Sequence, residues 1–198
     1  MSKNILLLTA FAQSGKDTMA NIFEEKGYKH MKFAKHLKEI AGRLIFMLFP
    51  DLDITEIDWE DNSVKQMVIP SVYNKKQITF RNFLKAFGTD FIKTHINRDY
   101  HAERLRDDVV ISNNDNIIIS DCRDINEYKA LKDYRNWNVE MAYIDRGYEP
   151  EDNHPTETSI LDLKEIANYE VDSKCSIIEY RQNCRSLYQD IEEKTCVK

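Results

Sequence analysis

The sequence predicts an α/β fold, a central parallel sheet of about five strands flanked by helices. Three observations carry this. The runs "ILLLT" (Ile5–Thr9) and "NIIIS" (Asn116–Ser120) are continuously apolar, as expected of strands covered on both faces. Short apolar runs of this kind alternate along the chain with stretches of helical period. The first run also leads through a bend of small residues into "GKDT" (Gly15–Thr18), a strand–loop–helix signature.

In chain order the strand candidates are Asn4–Ala10, His30–Phe33, Asn116–Ser120, Val139–Ile144 and Ser176–Tyr180. Helical stretches fall between them at Lys16–Lys26, Lys35–Phe49, Phe80–His95, Ile125–Tyr134 and Arg185–Glu193. In the third of these, Phe80, Phe83, Leu84, Phe87 and Phe91 recur at helical spacing and predict one apolar face. Two segments fit the alternation poorly. Residues 50–79 are polar and acidic around Pro70, and residues 146–174 carry Gly147, Pro150 and Pro155. Such excursions serve as lids and binding loops or as plain surface decoration.

With 198 residues, 42% hydrophobic and 11% aromatic, the chain predicts a single domain with a sizeable core. Its 28 basic and 34 acidic side chains leave a net charge of -6, against binding of bulk nucleic acid, which needs a basic face. A small anionic substrate needs only a few placed cations. The cysteines at 122, 175, 184 and 196 form no C-x-x-C pair and read as reduced thiols. Ile5–Ala10 is too short for a secretory or membrane segment, so a soluble, cytoplasmic protein is expected, with no membrane partner.

The loop "AFAQSGKDT" (Ala10–Thr18) resembles the phosphate-cradling pattern G-x-x-x-x-G-K-[ST] with two departures, Ala10 for the first glycine and Asp17 for the hydroxyl residue. A cradle needs inward-pointing backbone N–H groups, a helix N-terminus and a cation, and this stretch supplies all three. Ala10 is the smallest substitute and costs least where φ is negative. Asp17 has two readings. It ligates Mg²⁺ or holds its waters, or it caps the positive end of a helix.

Beyond the loop, several segments are similar to the phage-type deoxynucleoside monophosphate kinases. "SGKDT" carries Asp after the lysine, and "FAKHLKEIA" (Phe33–Ala41) presents Lys38. "RNFLKAFGTDFI" (Arg81–Ile92) is an Arg-led helix ending in Gly-Thr-Asp, and "IIISDCRDINEY" (Ile117–Tyr128) gives Ser-Asp-x-Arg with an acid four residues on. "IDRG" (Ile144–Gly147), "HPTE" (His154–Glu157) and "IIEYRQNCRSLYQDI" (Ile177–Ile191) follow in order. Residues 50–79 have no counterpart. Where the family has Trp after Gly-Thr-Asp, this chain has His101, beside Tyr100.

The resemblance implies a P-loop kinase fold with core about 1–49, 96–145 and 175–198, a substrate-binding insertion about 50–95 and a lid about 146–174. It implies transfer of the ATP γ-phosphoryl group to a deoxynucleoside monophosphate with Mg²⁺ as cofactor, and it allows a homodimer. Ala12, Gln13, Ser14, Gly15, Lys16, Asp17, Thr18 and Arg146 would hold ATP. Lys38, Arg81, Gly88, Thr89, Asp90, Tyr100, His101, Asp121, Arg123 and Glu127 would hold the acceptor. Lys16, Arg123 and Arg146 would be catalytic, the arginines because a guanidinium fork binds phosphate oxygens bidentately. Asp17 and Asp121 are the metal candidates, Asp121 alternatively a substrate ligand. His154 and Glu157 have weaker claims, in the lid.

Three rivals stand beside this reading. A related small-molecule kinase such as phosphomevalonate kinase shares the Gly-Lys-Asp loop and the Ser-Asp-x-Arg strand end, but "FGTDF" favours the nucleotide enzyme. A GTPase switch would need Asp-x-x-Gly and Asn-Lys-x-Asp, where this chain has "SDCRD" and "NKKQ". An inactive relative rests on Ala10 and His101 alone.

Overall fold

The structure, a computed structural model, describes residues 3–50, 59, 61–69, 78–134, 136–148 and 155–196. From the N-terminus run β1 (Asn4–Thr9), α1 (Lys16–Glu24), β2 (Lys29–Met31) and α2 (Ala34–Leu48). Then come α3 (Asn62–Gln66), β3 (Val68–Ile69), β4 (Ile78–Thr79), α4 (Phe80–Lys85) and a π-helix, Ala86–Ile96. The remainder is α5 (Tyr100–Ile111), β5 (Asn116–Ile119), α6 (Ile125–Lys132), β6 (Asn138–Asp145), α7 (Pro155–Glu165), β7 (Tyr169–Asp172) and α8 (Ile177–Cys196). The chain divides into two compact units, Met1–Phe33 with Leu105–Lys198, and Ala34–Arg104.

The first unit is built on a five-stranded sheet in the order β2-β5-β1-β6-β7, every pairing parallel. The α/β fold with about five parallel strands is therefore as the sequence predicts. β1 is central, with Ile5 level with Ile117 on one side and Val139 on the other. Alternate residues point to opposite faces. Leu6, Leu8, Ile118, Ala142 and Ile144 pack against Met19, Ala20 and Phe23 of α1 and Tyr180, Cys184, Leu187 and Ile191 of α8. On another patch Phe11 and Tyr143 pack against Ile160 of α7. Burial on both faces is why β1 and β5 read as unbroken apolar runs. α1 ends at Glu24, and Gly27, with a φ of 92°, permits the turn in which Tyr28 N–H reaches Phe23 O and Gly27 N–H reaches Glu24 O. That reversal delivers the chain into β2.

One strand is corrected. "SIIEY" does not form the fifth strand; Ile177 opens α8, and the strand is "YEVD", β7. The cause is a capping box. Ser176 Oγ accepts from Glu179 N–H at 3.3 Å, while Glu179 Oε2 accepts from Ser176 N–H at 3.0 Å and from its hydroxyl at 2.8 Å. β7 hides in the sequence because it is an edge strand with two exposed acids, Glu170 and Asp172. The segment expected as a lid, 146–174, accordingly ends in a strand of the central sheet.

In the second unit α2 buries Leu37, Ala41 and Ile45 at four-residue intervals. Ile45, Ile69 and Phe80 form a small core with Phe49, Trp59 and Phe83 against it. The short antiparallel pair β3–β4 sets Val68 opposite Thr79. The helix expected over Phe80–His95 changes winding after Lys85, and the π-turns continue to Ile96. Thr94 Oγ1 donates to Thr89 O, five residues back, at 3.1 Å. Wider turns bring residues four apart almost into line. Phe83, Phe87 and Phe91 therefore stack face to face at 5.6 and 6.0 Å, and Phe91 is exposed rather than part of a buried face. No helix among the described residues is long and apolar enough to cross a membrane.

Candidate active site

Parallel strands end on the same side of a sheet. Because β5, β1 and β6 are neighbours, the loop after β1, the Asp121–Arg123 segment after β5 and Arg146 after β6 leave one edge of the first unit. Open α/β sheets bind ligands at that carboxyl edge. Of the expected residues, Ala12 to Thr18, Asp121, Arg123, Glu127 and Arg146 belong to this edge.

The loop takes an unusual backbone path. Gln13 (φ 60°) is the one non-glycine among the described residues with positive φ, and Gly15 follows at φ 94°. A left-handed non-glycine costs about 1–3 kcal/mol and persists only where the surroundings impose it. Ala10 is fully buried and does not need positive φ, so its Cβ fits where a glycine would be usual. Lys16 folds back over the loop, its Nζ donating to Ala10 O at 2.9 Å and Phe11 O at 2.6 Å. The Ser14 hydroxyl is buried and has no hydrogen-bond partner among the described residues. α1 begins at Lys16, so the N–H groups of its first turn lie at the loop.

Gly15 is required on two counts. A Cβ there would sit 2.8 Å from Tyr180 Cε1, and φ would be unfavourable for any L side chain. Strain and overpacking of this kind cost about 2–4 kcal/mol together. Gly15→Ala is therefore expected to lower the melting temperature by about 5–10 °C. A thermal melt unchanged within 2 °C, itself below the smallest shift expected from about 1 kcal/mol, would show that the loop is not held as described.

Acids and bases flank the loop. Asp17, in the first turn of α1, is mostly exposed and pairs with Lys32 Nζ at 3.1 Å. Asp121 Oδ1 accepts the Phe33 N–H at 2.7 Å, tying the end of β5 to the end of β2. His30 is half-buried, with Nε2 2.7 Å from Ser120 Oγ and Nδ1 3.5 Å from Glu24 Oε2. Burial first, then the Lys32 ammonium, hold its pKa below the ordinary value, against the pull of Glu24, Asp17 and Asp121. Asp17 and Asp121 thus share the surroundings of one imidazole.

The arginine segment is fixed at each residue. Cys122 N–H donates to Leu8 O at 3.2 Å, and Arg123 N–H donates to Glu127 Oε2 at 2.9 Å. Asp124 caps α6, accepting the Asn126 N–H at 2.9 Å. The Glu127 carboxylate that takes the Arg123 N–H is buried. Arg146 is exposed, its guanidinium 5.9 Å from the centre of the Tyr148 ring. Beside it Asp145 pairs with Lys174 at 2.7 Å, and that bond holds its carboxyl below the usual range.

Lys38, Arg81, Gly88, Thr89, Asp90, Tyr100 and His101 belong to the second unit, on α2, α4, the π-helix and the start of α5. Two of them meet. His101 Nε2 lies 3.4 Å from Gly88 O, and the ring is buried edge-on to Tyr100, with centroids 5.5 Å apart. A Cβ on Gly88 would come within 2.6 Å of Leu37 Cδ2, so the glycine lets the π-helix approach α2. The imidazole at 101 packs inside the unit instead of facing solvent. His154 and the Glu157 side chain lie outside the described residues.

Sequence reasoning passed over Lys32, Ser173, Lys174 and Tyr180. Each lysine follows a strand of the sheet at the carboxyl edge, as Arg123 and Arg146 do, but only the strand before Lys32 was readable in the sequence.

No cluster of three or more His, Cys, Asp or Glu side chains able to hold a metal exists among the described residues. Two carboxylates without a closed cage suit Mg²⁺, which keeps its waters and takes phosphate oxygens as ligands. They would not suit a structural Zn²⁺ site.

Comparison with known proteins agrees with this geometry. The family model for deoxynucleotide monophosphate kinase matches residues 45–167. A dephospho-CoA kinase from Campylobacter jejuni superposes with a TM-score of 0.52 at 14% identity, covering 96% of this chain and 97% of that one. The protein TT1252 from Thermus thermophilus gives 0.52 at 11%, covering 98% of each. Shikimate kinase from Acinetobacter baumannii, in complex with shikimate, gives 0.50 at 10%, covering 98% and 95%. These likenesses are of fold, that of the P-loop kinases. No curated protein matches the sequence. With well over half of its 198 residues matched by that family model, the chain belongs to the deoxynucleotide monophosphate kinase family and is a kinase, a phosphotransferase acting on a nucleotide or small molecule.

Proposed function

We propose that the protein transfers the γ-phosphoryl group of ATP to a deoxynucleoside monophosphate, giving the diphosphate for DNA precursor synthesis in the cytoplasm. The observation that carries this is a lysine-bearing loop at a helix N-terminus, beside a backbone-anchored arginine, in a chain of this family. An acceptor phosphate is already anionic near neutral pH, so no strong general base is needed. The protein's task is to position two polyanions and offset their repulsion.

In this reading the backbone N–H groups of Ala12 to Thr18 grip the ATP phosphates. Lys16 turns from the Ala10 and Phe11 carbonyls to the β- and γ-phosphates. Arg123 faces the phosphoryl group in transfer, and Arg146 the donor side. Lys38, Arg81, Gly88, Thr89 and Asp90 shape the acceptor pocket, with Tyr100 for the base. His101 acts there through its packing on Gly88. The insertion about 50–95 serves the acceptor, and the residues between 146 and β7 close over the donor. Mg²⁺, held by Asp17 and Asp121 with phosphate oxygens, would neutralise charge on the bridging phosphates.

The test is ADP release with ATP and Mg²⁺ across deoxynucleoside monophosphates, ribonucleoside monophosphates and phosphomevalonate. Turnover with at least one deoxynucleotide is expected. Activity with phosphomevalonate alone would sink the proposal in favour of the related small-molecule kinase.

Asp17→Asn separates metal binding from helix capping. Its ion pair with Lys32 is mostly exposed and worth at most about 1 kcal/mol, so the melting temperature should move little. The Mg²⁺ concentration for half-maximal rate should rise about tenfold, as losing about 1.4 kcal/mol of binding requires. An unchanged Mg²⁺ titration with a lowered melt would assign Asp17 to capping alone.

A further inference from the structure

Carbonyls of the phosphate loop are held from the side of the C-terminal helix. Tyr180, in the first turn of α8, donates its hydroxyl to Gly15 O at 2.9 Å. Ser173, directly after β7, places its hydroxyl 3.2 Å from Ser14 O and 3.1 Å from Asp145 O. Asp145 O also accepts the Ser173 N–H at 2.8 Å, and the one hydroxyl proton of Ser173 is shared between Asp145 O and Ser14 O. Gly15 O also takes the first helical bond, from Met19 N–H at 3.1 Å. Ser173 and Tyr180 are 0% and 1% exposed, so water cannot readily replace either bond.

The consequence follows from peptide geometry. A peptide unit is planar and trans, so its C=O and N–H point in opposite directions. Holding the Ser14 carbonyl toward Ser173 turns the Gly15 N–H the other way. Holding the Gly15 carbonyl toward Tyr180 does the same for the Lys16 N–H. These N–H groups lie at the N-terminus of α1, where an anion is gripped.

We infer that Tyr180 and Ser173 are positioning residues for the ATP phosphates, aiming the Gly15 and Lys16 N–H groups by fixing the carbonyls behind them. This rests on the phosphate-loop reading of Ala10–Thr18. Both hydroxyls must reach adjacent peptide units of the same loop.

The experiment compares the full-length wild type with Tyr180→Phe, Ser173→Ala and the double variant. Tyr180→Phe keeps the ring against Gly15 and removes only the hydroxyl. Affinity for ATP and for inorganic tripolyphosphate, which has no base or sugar, is measured by calorimetry. Each single change should weaken both ligands about fivefold, the fold-change of one net hydrogen bond, and the double change about 25-fold. KM for ATP should rise in step, while KM for the nucleotide acceptor stays within a factor of about two of wild type, below the effect of one such bond. Ser173→Thr, which keeps the hydroxyl, should bind as wild type if the inference holds. Unchanged tripolyphosphate binding in a folded double variant would overturn the inference and leave the loop reading standing. Equal rises in KM for ATP and acceptor would also overturn it, marking a purely structural role. A wild type that binds neither ATP nor tripolyphosphate would overturn the loop reading itself, and the inference with it.

Discussion

Lys16→Met should lower kcat/KM for ATP about a thousandfold while the protein stays folded. Methionine keeps the length and apolar stem of lysine and removes the ammonium. In the structure that ammonium already lies over the loop, bonded to the Ala10 and Phe11 carbonyls. Turned from those carbonyls to the phosphates, it supplies charge to the transferring group, and a placed charge of this kind contributes about a hundredfold to a thousandfold in rate. Losing two bonds to a part-buried cation has a stability cost of its own, about 1.5–3 kcal/mol, read as a fall of several degrees in the melt. A thermal melt run beside the steady-state kinetics separates the two losses. Near-normal turnover would mean that "AFAQSGKDT" is a turn and not a cradle.

How far the sequence foretold this site depends on the range of the forces involved. β1 and β5 were legible because burial on both faces leaves unbroken apolar runs, Ile5–Leu8 and Ile117–Ile119. The loop was legible through Gly15 and Lys16, whose types are dictated by local backbone and charge. β7 was not. As an edge strand it keeps Glu170 and Asp172 exposed, and what pairs it with β6 is a backbone register that no side chain announces. "SIIEY" misled for a different reason: its apolar run looked like a strand, while the deciding signal was the Ser176–Glu179 pair three residues apart. A capping box was readable there and outweighs the β-branched residues it precedes. The π-helix had no such signal. Its cause is packing, since Gly88 lets the backbone come up to Leu37 and His101, contacts invisible to local periodicity. Tyr180 and Ser173 fall in the same class, because their role depends on β7 and α8 lying behind a loop far away in sequence.

Arg123→Lys should cost about a hundredfold in kcat with little change in the melt. Asp121 is tied to the Phe33 N–H, Cys122 to Leu8, Arg123 to the buried Glu127, and Asp124 to the start of α6. Four consecutive residues are thus anchored to the segment after β2, to β1 and to α6, and the side chain at 123 leaves from a fixed point at the carboxyl edge. A guanidinium there can make two parallel charge-assisted bonds to phosphate oxygens. Lysine keeps the charge but offers a single donor direction from a more flexible stem, so it cannot reproduce the fork. Because the anchoring runs through the Arg123 backbone N–H, the substitution leaves every one of those ties in place, which is why stability should hold. Glu127→Gln gives the complementary case. It keeps an acceptor for that N–H but removes the buried charge, and should lower kcat less than Arg123→Lys does. Should Arg123→Lys retain more than half of the wild-type kcat, well above what losing one transition-state donor leaves, the place of Arg123 in phosphoryl transfer would fall.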